Sequence, residues 1–279
     1  MRETGVLFDE SAVPNGDQLE TTDAVCSRLA ADRYLIAGRE IGFPVRVGAA
    51  SMLLNTFIVN ADHAATMIRG SGFRPLTLWP GKALLQLLAV DYRQNDLGDY
   101  NEGAIIFPVL TPGQKILPLI GPMIGMARGS IGNFIYRMPV NQPLTTHAGR
   151  YIWGFPKWVT GMEIEFGERA ASGCFSDDGQ LVYRIRAAAD GKGAIRDQRL
   201  PSLAIRSGKA WKTYGVSNAD GVTFRLGGAV PEIGDSHPLA LELRALGLPK
   251  KPLFTVSARK MQMEFSGPEA VSVGQPFRT

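Results

Sequence analysis

Between positions 159 and 188 the chain passes through three alternating apolar–polar runs, 159–166, 169–176 and 181–188, with almost nothing between them. The separators are Gly167-Glu168 and Asp177-Asp178-Gly179. Alternation with a period of two marks a strand with one buried face, and Asp-Gly is a hairpin pair because its positions tolerate positive φ. Two earlier apolar runs, 83–92 and 104–110, flank the polar interval 93–98, which is too short for a crossover helix and therefore predicts another antiparallel hairpin. Strand patterning recurs at 42–59, 72–79, 131–139, 201–205, 222–226 and 254–265. So many short-spaced strands with few helices define an α+β class with a mainly antiparallel sheet.

Three short helices are expected. One covers 63–68, with caps available from Asn60-Ala61-Asp62 and closure at Gly70; another runs from Ser236-His237-Pro238 through Leu246 to Gly247. A third is read over 21–35, where Thr21 or Thr22 could cap and Val25, Leu29 and Leu35 recur at roughly helical spacing. The turn-rich segment 1–19 reads as a loose arm. The expected organisation is an N-terminal arm with its helix over 1–40, then a single domain over 41–279, since no linker or composition shift divides the rest. Residues 116–126 are apolar but carry Pro118 and Pro122, which argues against a central strand or a long helix.

Bulk properties remove several function classes. A net charge of +4 over 279 residues is mild, and the basic residues are scattered, so no nucleic-acid footprint is present. The most apolar stretch is broken by prolines and bounded by Lys115 and Arg128, well short of a membrane helix. Glu3, Asp9 and Glu10 leave no signal-peptide core, and Cys26 and Cys174 form no framework spacing, which together predict a cytoplasmic protein. His63, His147 and His237 share no metal-ligand spacing, and no dinucleotide or phosphate-loop fingerprint occurs.

One segment carries an unusual lysine: His147-Ala148-Gly149-Arg150-Tyr151-Ile152-Trp153-Gly154-Phe155-Pro156-Lys157-Trp158-Val159. Trp153, Phe155 and Trp158 would enclose its stem. Burial disfavours the charged amine and lowers its pKa, each unit being about 1.36 kcal/mol. A neutral amine is the form that attacks a carbonyl. The alternative is a snorkelling lysine, its stem on apolar surface and its head in water.

The run from Gly149 to Lys157 resembles the active-site segment of the acetoacetate decarboxylase family, and Tyr100-Asn101-Glu102 resembles that family's Tyr-x-Glu strand. The resemblance extends from about Val45 to the last strand and implies a barrel-like β core. It implies that Lys157 forms an imine with a keto acid and that Glu102 faces the imine or the substrate carboxylate. Gln86 falls where the family has a second acidic residue, and Arg150 matches an arginine that either contacts substrate or pairs structurally. Two departures stand out. Trp158 occupies the place of the family's second lysine, and Ser51 or Met52 stands where its N-terminal strand carries an arginine, Arg46 being about six positions away. On a regular strand residues 157 and 158 face opposite ways, so burial is expected to depress the Lys157 pKa without that second cation. Gln86, Arg150 and Trp158 are the expected substrate contacts. The implied protein is a homo-oligomeric lyase acting on a small keto acid without metal or organic cofactor. Aldol or dehydratase chemistry on the same imine, or a binder that keeps only the pocket, are the alternatives.

Overall fold

The computed structural model describes residues 25–116 and 120–271. In chain order its elements begin with a small sheet, β1 (Cys26–Ala30), β2 (Arg33–Ile36) and β3 (Arg39–Gly42). Then come β4 (Val45–Asn60), α1 (Ala61–Met67), β5 (Arg74–Pro75), β6 (Thr77–Trp79), β7 (Lys82–Asn95) and β8 (Tyr100–Leu110). The middle of the chain supplies α2 (Ile120–Ala127), β9 (Gly132–Val140), α3 (Pro143–Ala148), a π-helical turn (Gly149–Trp153) and β10 (Lys157–Val159). The remainder is β11 (Gly161–Phe166), β12 (Ala170–Asp177), β13 (Gln180–Ala188), β14 (Gly193–Arg206), β15 (Lys209–Leu226), β16 (Glu232–Ile233), α4 (Pro238–Ala245), β17 (Phe254–Phe265) and β18 (Glu269–Ala270).

Seven strands close into a barrel in the order β9-β14-β15-β17-β4-β7-β8, and β8 returns to pair with β9. Closure removes the free edges that an open sheet would leave. A second sheet, β11-β12-β13-β16, covers one outer flank together with α4. The period-two rule now has a physical reading. On β4 and β7, Leu53, Phe57, Leu85, Leu87 and Ala89 face outward and pack on Phe175, Val182, Tyr183 and Ile185. Burial of a large side chain of this kind contributes about 1.5–3 kcal/mol. Close approach of the layers needs Gly173, because a Cβ there would lie 2.5 Å from that of Ala89. The intervening residues, among them Ala50, Val90, Tyr92, Ala104 and Ile106, face the barrel interior.

The helix expected over 21–35 is not formed; the described part of that stretch is strand. Val25, Leu29 and Leu35, whose spacing suggested a helix, are exposed, whereas Tyr34, Ile36 and Ile41 are buried against the barrel interior. The β2–β3 turn is Ala37-Gly38, both at positive φ, a hairpin pair less conspicuous than Asp-Gly. Thr21, Thr22 and the 1–19 arm lie outside the described residues. The 159–166 run is two strands, not one: β10 runs parallel to β9 on the barrel, and after Thr160 β11 opens the second sheet. The 201–205 and 222–226 readings were too short. They are parts of a long hairpin, β14–β15, joined at Ser207-Gly208, again with both φ positive. The other expected elements form, with α1 capped by Asn60 and α4 by His237. No helix among the described residues is long and apolar enough to cross a membrane.

Candidate active site

Alternation along β8 turns Tyr100 and Glu102 into the barrel, and the hairpin register sets Tyr92 of β7 opposite Tyr100. The two phenol rings stack at 4.5 Å between centroids. The Tyr92 hydroxyl donates to Glu102 Oε1 at 3.2 Å. From the other side comes α3, whose start is fixed by Pro143 in its first turn and by the Gln142 side chain accepting from the Thr145 amide. The π-helical turn follows directly and ends at Gly154 in the left-handed region. Thr145 and Gly149 then flank the lysine that begins β10.

Lys157 is 3% exposed. Its Nζ lies 2.7 Å from Glu102 Oε2, donates to Thr145 Oγ1 at 3.0 Å, and sits 5.0 Å from the centroid of the Tyr100 ring. Gly149 is required by this path. A Cβ at position 149 would lie 2.5 Å from Lys157 Cδ, so only glycine leaves room for the stem. The lysine is therefore no snorkelling residue; its head is inside the barrel.

The electrostatics differ from the expectation of a depressed amine. Burial is the largest single influence on Lys157 and does pull its pKa down, but Glu102 and then Tyr100 outweigh it and leave the pKa raised. A carboxylate in hydrogen-bond contact favours the ammonium form more than desolvation disfavours it. The resting amine is thus the ammonium form, held against Glu102. Both tyrosines are pushed up, chiefly by burial, and remain neutral phenols.

The other expected site residues scatter. Gln86 is buried, opposite Ile106 on the inward face of β7, four residues from Val90, which is opposite Glu102. At about 3.4 Å per residue this sets it ~14 Å along the strand from the pair. Trp158 is not a substrate contact. It faces outward, fully buried against Phe175, with its indole N–H donating to Asp177 Oδ2 at 3.2 Å. Adjacent strand residues point to opposite faces, which is what separates it from Lys157. Trp153 and Phe155 stack on each other in the inner cluster, and the amine itself meets Glu102, Thr145 and the Tyr100 ring. Arg150 donates from Nε to the backbone carbonyl of Lys157, and its Nη1 and Nη2 have no hydrogen-bond partner. Burial lowers its pKa to about 10. Arg46 is exposed and paired with Glu264, whereas Met52 takes an inward position on the strand row of Glu102. Tyr92 and Thr145 were missed from sequence. Tyr92 was accessible in principle from the alternation Gln86, Leu88, Val90, Tyr92; Thr145 carries no local signal.

Among the described residues, Lys157 and Glu102 meet inside a closed seven-stranded barrel. Residues 34–220 match the family model described as acetoacetate decarboxylase (ADC), and the chain belongs to that family. Among solved structures it is similar to the acetoacetate decarboxylase of Legionella pneumophila, with 15% identity, a TM-score of 0.55, and coverage of 82% of this chain and 88% of that one. An acetoacetate decarboxylase-like enzyme from Sphingomonas wittichii RW1 gives 13% identity and a TM-score of 0.54 over 84% of this chain and 95% of that one. The enduracididine biosynthesis enzyme MppR complexed with pyruvate gives 14%, 0.52, and coverage of 84% and 93%. At these identities the likeness is one of fold. No curated protein matches the sequence.

Proposed function

We propose that this chain is a Schiff-base-forming lyase that decarboxylates a β-keto acid on Lys157. The observation that carries the reading is the buried 2.7 Å contact between Lys157 Nζ and Glu102 Oε2. An isolated buried ion pair contributes little to stability, so its retention at the centre of a barrel points to chemistry.

The raised amine pKa assigns Glu102 a first task. Entry of a ketone displaces solvent and favours transfer of one proton along the 2.7 Å contact, from Nζ to Oε2. Burial penalises both charges, so the neutral pair is accessible. The Nζ lone pair attacks the ketone carbon, the carbonyl oxygen gains protons and leaves as water, and a protonated imine forms while Glu102 returns to carboxylate. The bond to the substrate carboxylate then breaks, its electrons move into the iminium, and carbon dioxide leaves an enamine. Glu102 passes a proton from solvent to the enamine carbon, the proton that decarboxylation consumes overall. Water hydrolyses the imine and frees the ketone. Thr145 Oγ1 and the Tyr92 hydroxyl hold the two reacting side chains in register throughout.

Carbon dioxide release from acetoacetate and longer β-keto acids tests the assignment, with Lys157→Arg as control. Release by the native chain and none by the variant is the expected result. Turnover that survives Lys157→Arg would remove the imine from the account. A conjugated enone without carbon dioxide would move the reading to aldol–dehydration on the same lysine.

A further inference from the structure

Strand register divides the inner wall of the barrel into rows that run across neighbouring strands. The row containing Glu102 continues through Val90, Met52, Ala258 and Val222. The next row is Ala104, Leu88, Leu54, Val256 and Phe224. Every member of this second row is apolar. Exposure grows along it: Ala104 is buried, Leu88, Leu54 and Val256 are half-buried, and Phe224 is 52% exposed. Four strand spacings of ~4.8 Å give the row a length of ~19 Å.

Tyr34, Ile36 and Ile41 of the small sheet pack with Ile152, Trp153 and Phe155 in one buried cluster. The half-exposed apolar row lies two residues along each strand from the row of Glu102. Neither row carries a lysine or arginine, and Met52, one of the two residues (with Ser51) at which the family resemblance places an arginine, stands in the first of them. Neither of these two rows offers a cation to a second anionic group on a substrate.

We propose that this row is the binding wall for an apolar tail, and that the carbonyl compound reaching Lys157 bears an extended aliphatic or aryl group without a charge at its far end. This inference rests on the imine reading for the position of the reacting carbonyl. Ligand sites of this kind are mostly apolar with a few placed polar groups, here the lysine, Glu102 and Thr145 at one end. A tail lying along Leu88, Leu54 and Val256 gains binding with each methylene it buries, whereas acetoacetate leaves the row bare.

The test is calorimetric titration of the native chain with a series of methyl ketones, from acetone to 2-decanone, run beside borohydride trapping of the same compounds. Dissociation constants should fall about fourfold per methylene until the row is filled. Leu88→Gln and the exposed-site variant Phe224→Ser should flatten that series. A dissociation constant independent of tail length, or a dependence undiminished in both folded variants, overturns the tail site. A flat series together with a dimer that Phe224→Ser dissociates would assign the row to self-contact instead, and also overturns it. Tail-dependent binding without any adduct would uphold the wall and sink the imine reading, so the two can fail separately.

Discussion

Replacing Glu102 by glutamine removes the carboxylate but keeps the shape, and its consequences follow from the contact at 2.7 Å. In the native chain the folded pKa of Lys157 is raised. That contribution to stability is fully present below the unfolded lysine value near 10.4 and is lost only as pH rises through the higher folded value. In the variant the carboxylate's contribution is gone, burial, the largest influence, is opposed by Tyr100 alone, and the sign reverses. The folded pKa drops below the unfolded one, so folding is penalised at neutral pH, and the penalty fades as pH approaches the unfolded value. Stranding one member of a buried pair costs about 3–5 kcal/mol. At about 2–4 °C per kcal/mol for a chain approaching this size, Tm should fall on the order of 10 °C at pH 7. The assay is thermal unfolding of both proteins from pH 6 to 10. The gap should narrow with rising pH. A variant as stable as the native chain at pH 7, or a gap that does not change with pH, would refute the buried ion pair.

Three further substitutions separate the roles of neighbouring groups. Gly149→Ala places a methyl 2.5 Å from the present Lys157 Cδ in a turn whose backbone suits alanine, so carbon dioxide release should drop at least ~100-fold with far-ultraviolet circular dichroism retained; rates should track the lysine's displacement. Trp158→Phe deletes the indole donor to Asp177 and should cost about 1–3 kcal/mol in denaturant unfolding, while borohydride adduct formation is unchanged, because the residue faces the other layer. Tyr92→Phe removes the donor at Glu102 Oε1 and should lower kcat with little change in KM, measured on the best β-keto acid.

Much of this architecture could be read from the residues because a half-buried strand writes its burial directly into the sequence. Residues 254–265 alternate, and β17 has those bounds. The reading failed where the turn or the spacing misled. The spacing of Val25, Leu29 and Leu35 makes β1 and most of β2 read as a helix, and Ser207-Gly208 is a weak turn signal, so β14–β15 reads as two fragments. Long ribbons such as β15 also expose many polar side chains, which masks their apolar alternation. In the site, the two family-like segments single out Lys157 and Glu102, 55 positions apart, and the structure brings them into contact, but the raised pKa of the lysine is not legible in the sequence. Local sequence shows the aromatic residues around position 157, whereas the carboxylate and the Thr145 hydroxyl arrive from β8 and α3 through tertiary closure. Trp158 enters the expected contacts from its place in the family-like segment, although alternation already sets it opposite Lys157, and the structure turns it outward.

The central claim is a covalent one, and reductive trapping addresses it most directly. The native chain is incubated with a β-keto acid, treated with borohydride, digested and mapped by mass. The account predicts a stable adduct on the peptide carrying Lys157, absent without the keto acid and absent in Lys157→Arg. An adduct on any other lysine, or none with any β-keto acid between neutral and alkaline pH, would contradict it.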